Sequence, residues 1–379
     1  MKNQKHLFRI PDGIHYLNCA YMSPLLHSVE ERGIDGIRRK RDPTSITPAH
    51  FFTEAGGIRE KFGKLVNCSP AQVALMPSVS YGMATVINNI PYIKGKHALT
   101  ISEEFPSCYY TAKTWCKRFG ADLIIISRNE ELAEKTKDWN ERILEAITRK
   151  TAFIIISSVH WMNGTKFDLE SIGRRCRDVE AKLIVDGSQS VGALPVDVRK
   201  YQIDTLICAA YKWLMGPYST ALAYIDDSFN DGVPLEESWM TRTNAVDFSR
   251  LTEYVEDYKP GATRFDVGES SNFILVPMLN EALDQILKWD AKEIQEYGRI
   301  LSQPLINFFS ERGLYVEDEI HRAHHLMGLQ LPENKRGGKL MEEFHKRGIY
   351  VSLRGSNIRI SFNVFNTEED VGELISALR

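Results

Sequence analysis

Two apolar runs that end in charged residues constrain this chain more than any other feature. In LIVDGSQSVGALPVDVRKYQIDTLICAAYKWLMGP, residues 183–217, the run LIV ends at Asp186 and the run TLICAA ends at Tyr211-Lys212. Short apolar runs bounded by turn residues read as buried strands of an α/β sheet. Ligands of such sheets sit outside the carboxyl ends of the strands, so Asp186 and Lys212 stand at two strand mouths. An acid and a lysine so placed suit pyridoxal 5′-phosphate (PLP), whose aldehyde takes a lysine as a Schiff base and whose ring nitrogen takes an acidic partner. A buried Asp–Lys ion pair between neighbouring strands satisfies the same spacing, and the spacing alone does not separate the two readings.

The 379 residues suffice for a large core and two domains. With 43% hydrophobic and 26% charged residues, the balance is that of a globular enzyme. A net charge of −3 without runs of like charge argues against nucleic acid or an anionic membrane as partner. The amino-terminal stretch lacks the apolar core of a signal peptide. No run reaches the ~18 apolar residues of a membrane span. Six scattered cysteines without a C-x-x-C pair predict neither a zinc site nor a disulfide framework; no metal is expected, and a reducing cytoplasm is.

Between residues 50 and 182, apolar runs alternate with amphipathic segments. This β-α-β order predicts a mostly parallel sheet. Residues 50–66 read as a helix, and GIREKFGK within them imitates a phosphate loop without matching its spacing. The strand VALM runs into Pro77-Ser-Val-Ser and a helical pattern. Ser78, Val79 and Ser80 then sit at a helix start, where free N–H groups bind anions or a serine simply caps the helix. ALTISEEFPSCYYTAKTW reads as strand, loop and helix, ADLIIIS as a strand, residues 138–148 as a helix, and TAFIIISSVHWMNG as a buried strand. His160, at the end of that strand, reads more readily as structural than as catalytic. YSTALAYI returns as a further strand, and residues 226–262 are irregular. Beyond residue 273 come two long helices, the second interrupted near Pro304, then strands at LYVED, HHLMGLQL, IYVSLRG and NIRISF and helices at GGKLMEEFHKRG and TEEDVGELISALR. The expected division is a large domain over 14–272 and a small α+β domain from 1–13 and 273–379.

D-G-S-Q-S-x-G followed by Y-K-W-L-x-G-P resembles the class V aminotransferase family of fold type I PLP enzymes, which includes cysteine desulfurases, kynureninase, isopenicillin N epimerase-like proteins and transaminases. The resemblance covers nearly the whole chain. It implies an α/β fold with a mostly parallel, seven-stranded-type sheet and a smaller α+β carboxyl-terminal domain. It implies Lys212 as the residue that carries the cofactor and moves protons, and Asp186 as partner of the ring nitrogen. Gln189 would donate to O3′, Phe105 would stack on the ring, and Ser78, Val79, Ser80 and Tyr211 would hold the phosphate. Trp161 falls where many relatives carry an asparagine that reaches O3′. Ala209 stands where relatives often carry a phosphate-binding Ser or Thr. Arg359, in N-R-I-S-F-N-V-F-N-T-E-E-D, takes the place of the arginine that grips the substrate carboxylate, as its planar fork suits. Arg354 is a weaker candidate for that role. Tyr21 is expected near substrate or, equally, packed at a domain seam. RFDVGESSNF resembles the segment that crosses to the neighbouring subunit's phosphate. A homodimer is therefore expected, with Gly268 and Ser270 near the partner's site and Glu269 where Thr or Ser is usual.

The resemblance implies a PLP enzyme acting on a small amino acid, with transamination first. Epimerisation and β-elimination of the C–S lyase or kynureninase kind are alternatives. A PLP-binding protein without catalysis is the alternative of another class. Persulfide-forming desulfurase chemistry is not expected, because VSLRGSNIR lacks the mobile cysteine and Phe105 replaces histidine.

Overall fold

This computed structural model describes residues 1–129, 131, 135–330, 338–355 and 357–379. Strand β1 (His15–Tyr16) is followed by helices α1 (His27–Arg39) and α2 (Thr53–Val66). Strand β2 (Val73–Met76) leads into α3 (Val79–Asn88), β3 (His97–Ile101) into α4 (Pro106–Phe119), and β4 (Leu123–Ile126) into α5 (Lys135–Ala146). Then come β5 (Thr151–Ser157), α6 (Leu169–Asp178), β6 (Lys182–Asp186), β7 (Thr205–Ala209) and β8 (Ala221–Ile225). A stretch with short 3-10 turns leads to α7 (Leu275–Trp289) and α8 (Ala291–Ser310). Strand β9 (Leu326–Gln330), helix α9 (Gly338–Lys346), strands β10 (Ile349–Tyr350), β11 (Ser352–Arg354) and β12 (Asn357–Ser361), and helix α10 (Glu368–Leu378) complete the order.

The main sheet has seven strands in the order β2-β8-β7-β6-β5-β3-β4. The ladder from β4 to β7 is parallel, as expected from the β-α-β alternation. Strand β8 runs antiparallel to both neighbours, because the short turn after β7 cannot make a parallel crossover. A second, three-stranded antiparallel sheet, β11-β12-β9, forms the smaller carboxyl-terminal layer.

Successive residues of a strand face opposite sides of a sheet, and here both sides are covered. Ile154, Ile156, Leu183, Val185 and Leu206 join one core with α2, α5, α6 and α7. Phe153, Ile155, Ile184 and Ile207 join the other with α3 and α4. Burying each such side chain is worth ~1.5–3 kcal/mol. The same alternation decides where the chemistry lies. Ser157, Asp186 and Ala209 continue the second set, so all three end their strands on the α3–α4 side.

The carboxyl-terminal unit has its own core, in which Leu305 and Phe309 of α8 meet Ile358, Ile360 and Leu374. Helix α7 packs against α1 and α2, and its Leu279 and Leu283 belong to the core of the main sheet. Trp213, immediately after Lys212, lies in a further cluster with Ala282, Ile286, Leu326 and Phe365, between the two units.

Several local expectations need correction. The phosphate-loop imitation lies wholly inside α2, but α2 begins at Thr53 rather than near residue 50, after a 3-10 turn over Pro48–Phe51. Helix α8 runs unbroken through Pro304. Proline removes the hydrogen bond to the carbonyl four residues earlier. That residue, Ile300, is 57% exposed, so water can take its place. LYVED forms no strand; Leu314 and Val316 pack on the small core as irregular chain. Strand β9 is described to Gln330, and the expected continuation at Leu331 lies outside the described residues. Among the described residues, no helix is long and apolar enough to cross a membrane.

Candidate active site

A cleft of about 280 Å³ opens at the carboxyl ends of β5, β6 and β7. Its walls include Asp186, Gln189, Tyr211 and Lys212, the segment Ser78–Ser80, and Phe105 with Trp161. Residues from five separate stretches of sequence therefore converge on one volume. Tyr21, Arg359, Gly268 and Ser270 are not among its walls.

Lys212 lies in the turn after β7 and is 8% exposed. Its Nζ stands 5.6 Å from the ring centroids of both Phe105 and Tyr211. Burial lowers its pKa to about 8; Asp186 works against that shift, and Arg359 and Arg354 reinforce it. Lysine deprived of water loses its proton more readily. The turn is braced by the loop after β6. Gly192 adopts a left-handed φ of 99°, and a Cβ there would meet the Trp213 carbonyl oxygen at 2.5 Å. The last glycine of D-G-S-Q-S-x-G is thus required by conformation and by the close approach of the lysine turn.

Asp186 is buried. Its Oδ1 accepts from the Ser188 N–H at 2.8 Å, and its Oδ2 accepts from the Cys108 thiol at 3.4 Å. The Gln189 side chain is held at both ends. Its Oε1 accepts from Trp213 Nε1 at 2.8 Å, and its Nε2 donates to the Ala20 carbonyl at 3.1 Å, which leaves one N–H for the cleft. The Gln189 carbonyl accepts from His325 Nε2 at 2.6 Å, and His325 Nδ1 accepts from Gln295 Nε2 at 2.6 Å. Burial pushes His325 down to about 4, so it stays neutral and keeps this tautomer. A chain of hydrogen bonds thus ties α8 to the wall of the cleft.

One end of the cleft is formed by the amino terminus of α3. Ser78 is the N-cap, and its Oγ accepts from the Tyr81 N–H at 3.1 Å and lies 3.0 Å from Ser80 Oγ. The N–H groups of Val79 and Ser80 belong to the first turn, where no intrahelical acceptor exists. The capping role and the anion-site role are therefore compatible. Ser107, Ser219 and Thr220 also line the cleft and add hydroxyls close to Ala209 and the serines of α3. No motif in the sequence pointed to these three. Their only signal was proximity in sequence to Phe105 and to Gly216-Pro217.

Phe105 and Trp161 meet edge to face at 5.6 Å. Trp161 Nε1 donates to the Glu103 carbonyl at 2.8 Å, so its polar edge is turned to the protein. His160 is fully buried outside the cleft wall, with its ring nitrogens 3.0 Å from Asn163 Oδ1 and 3.2 Å from the Glu103 carbonyl oxygen. Burial pushes it down to about 4. It is structural. Tyr21 is 54% exposed at the surface.

Arg359 projects from β12 and is 2% exposed. One guanidinium nitrogen donates to the Trp161 carbonyl at 3.1 Å and another to Ser352 Oγ at 3.5 Å. Among the described residues, its buried Nε has no partner. Burial first, then the like charge of Arg354, draw its pKa down to about 9, which leaves it charged at neutral pH. A buried cation with an unpaired donor calls for an anion. The Gly268 N–H donates to Glu236 at 2.6 Å, Ser270 is buried, and Glu269 is exposed. Among the described residues, no group of three His, Cys, Asp or Glu side chains could hold a metal ion.

The donors fit PLP: a desolvated lysine, an acid across the cleft, a flat ring, and a helix amino terminus with hydroxyls. Comparison with known proteins agrees. The family model "aminotransferase class-V" matches residues 45–374. The chain is 22% identical to the uncharacterized aminotransferase YcbU of Bacillus subtilis, over 84% of this chain and 82% of that protein. It is 24% identical to a kynureninase of Burkholderia pseudomallei, over 98% and 90%, and 23% identical to the hercynylcysteine sulfoxide lyase of Schizosaccharomyces pombe, over 71% and 70%. Its fold superimposes on a cysteine desulfurase from Thermococcus onnurineus with a TM-score of 0.86 at 17% identity, covering 100% of this chain and 98% of that one. The cystine C-S lyase C-DES, bound to its product cysteine persulfide, gives 0.83 at 19% identity, covering 97% of each. The chain belongs to the aminotransferase class-V family of fold type I PLP enzymes.

Proposed function

We propose that this protein is a PLP-dependent enzyme that acts on a small amino acid, with transamination as its reaction. The observation that carries this reading is Arg359, a buried cation with an unpaired Nε, coupled electrostatically to a desolvated Lys212 beside Asp186. Lys212 is the residue that would hold the cofactor. The amino terminus of α3 with Ser78, Val79 and Ser80 would take its phosphate, Gln189 its O3′, Phe105 one face and Asp186 its ring nitrogen. When bound, PLP supplies the electron sink that makes loss of a proton from the substrate Cα accessible. Lys212 Nζ, with its pKa near 8, takes that proton and returns it. Arg359 holds the substrate carboxylate and so orients the Cα–H toward Nζ. Phe105 and Trp161 screen the reacting face from water.

The E-F-P segment around Phe105 resembles that of kynureninase-like relatives and so favours a second reading, β-elimination or kynureninase-type hydrolysis. One experiment separates the readings. Cofactor-loaded protein is mixed with a panel of amino acids in single turnover. Transamination is expected to leave the cofactor in its amine form with release of a keto acid. Release of ammonia and a keto acid with the cofactor unchanged would instead support β-elimination, release of alanine would support kynureninase-type hydrolysis, and inversion at Cα would support epimerisation. No change with any amino acid would favour a PLP-binding protein without catalysis. With L-cysteine in the panel, no protein persulfide is expected by mass spectrometry. Burial pushes Cys19 up to about 12 and Cys108 and Cys208 well up, so none is a thiolate at neutral pH. A persulfide on any of them that turns over with a reductant would restore desulfurase chemistry.

The Arg359→Ala protein is expected to bind amino-acid substrates more weakly by roughly 1.5–3 kcal/mol, about ten- to a hundredfold in affinity. Amines without a carboxylate should lose much less. Equal losses for both, in spectroscopic titration, would reject the role.

The proposed assembly is a cytoplasmic homodimer with the site at the subunit seam. The Gly268–Ser270 segment lines no part of its own chain's cleft. The half-exposed Trp239 and Phe248 pack with Phe51 and Phe273 into an aromatic surface on the same excursion. All six cysteines are free, which suits a reducing compartment. A fully active monomer in sedimentation would exclude the shared site.

A further inference from the structure

Glu104 is 6% exposed. Three donors converge on its carboxylate. The Phe105 N–H donates to Oε1 at 2.6 Å, the Ser157 N–H donates to Oε2 at 2.7 Å, and the Ser157 hydroxyl donates to Oε1. The two residues it joins are far apart in sequence and stand on different walls of the cleft. Phe105 is the ring that opens α4. Ser157 ends β5, lines the cleft and is the direct cross-strand partner of Asp186.

The loop that carries Glu104 is strained. Glu103 adopts a left-handed φ of 55°, a conformation a non-glycine residue keeps only when its surroundings hold it there. Its carbonyl accepts from Trp161 Nε1, so the loop is pinned on one side by Trp161 and on the other by the Glu104 carboxylate. A carboxylate here is costly. Burial, together with the nearby charge of Asp186, raises Glu104 to about 7, against the pull of its three donors. An apolar side chain would fill the space without that penalty, but it could not satisfy two backbone N–H groups at once.

We propose that Glu104 is a positioning residue: its carboxylate fastens the Phe105 ring to the end of β5 and so sets the gap between the stacking ring and the floor of the cleft that holds Asp186. The proposal rests on the PLP reading above. Glu104 touches neither cofactor nor substrate; it acts through Phe105 and Ser157.

Three variants test this: Glu104→Gln, Glu104→Ala and Ser157→Ala. Glutamine keeps the volume but turns an NH₂ group toward donors, so at least one of the three bonds is lost. Each variant is measured for the affinity of the cofactor-free protein for PLP, the visible circular dichroism of the bound chromophore, and hydrogen exchange at the amides of Phe105 and Ser157. Melting temperature and exchange within α6 report on the fold as a whole. Expected in Glu104→Gln are a PLP dissociation constant raised roughly ten- to a hundredfold, a visible dichroic band clearly weakened, and faster exchange at Phe105 with α6 unchanged. Ser157→Ala keeps both N–H bonds and should give the same changes to a smaller degree. If Glu104→Ala does not fold, the other two variants decide. PLP affinity and dichroism unchanged in Glu104→Gln, while the native protein binds normally, would overturn this proposal alone. Failure of the native protein to bind PLP would overturn the cofactor reading and this proposal with it.

Discussion

The Lys212→Ala protein is expected to lose the covalent attachment of PLP and nearly all turnover. Lys212 is 8% exposed and, with a pKa near 8, its Nζ can present a neutral amine at modest pH. Loss of one positioned acid–base group costs roughly 10²–10⁴-fold in rate, and loss of the anchoring nucleophile adds to that. The check is borohydride reduction of the loaded protein followed by peptide mapping. In the native chain the tag belongs on Lys212, and in the variant no lysine should carry it. A tag on another lysine of the native chain would remove Lys212 from the centre of the site. The fold should survive, since among the described residues the Lys212 side chain has no hydrogen bond that braces the turn; Gly192, Trp213 and Gln189 do so instead.

Asp186→Asn should keep PLP bound and lose about 10²–10³-fold in kcat, the scale seen when one preorganised electrostatic partner is removed. Asparagine is nearly isosteric and can still accept from the Ser188 N–H, which holds the residue in place. The lost quantity is negative charge opposite the ring nitrogen. The same variant has a second signature in the cofactor-free protein. Attachment of PLP needs neutral Nζ, so its rate should rise with pH through an inflection near 8 in the native chain, not near the ordinary value for lysine. Asp186 stabilises the charged amine, so its removal should move that inflection to still lower pH. Stopped-flow appearance of the visible band measures both. Near-native turnover together with an unmoved inflection would make Asp186 a purely structural residue.

The parts of the site that the sequence exposed are those whose chemistry depends on position along one element. Asp186 and Lys212 close buried apolar runs, and strand ends are where an open α/β sheet presents its ligands. Ser78–Ser80 begin a helix, and a helix start carries its own unpaired N–H groups wherever it is. The phosphate-loop imitation could be rejected because its spacing fails and its residues continue an amphipathic helix. Strand versus irregular chain was less legible. LYVED begins with the short apolar run of a strand, yet Leu314 and Val316 find apolar neighbours without a ladder. Pro304 reads as a break, yet the exposed side of α8 tolerates the missing bond. In both places the outcome depends on what lies alongside, which no local pattern encodes.

The sequence by itself indicated most of the alternation of strands and helices and an acid and a lysine at two strand mouths. These follow from apolar runs contained within one stretch, whereas Arg359 was singled out by the resemblance of its segment to the family. Only the tertiary structure decided that Ser157, Ser107, Ser219 and Thr220 belong to the same cleft and that Glu104 joins two of its walls. It also decided that Gln189 is held by Ala20 and Trp213, and that Arg359 is buried with a donor left unpaired. The reason is physical. Hydroxyls and a lone carboxylate carry no periodic signature. Their role comes from burial and from partners brought near by β-β register and helix packing, and these exist only once the sheet has assembled in the order β2-β8-β7-β6-β5-β3-β4.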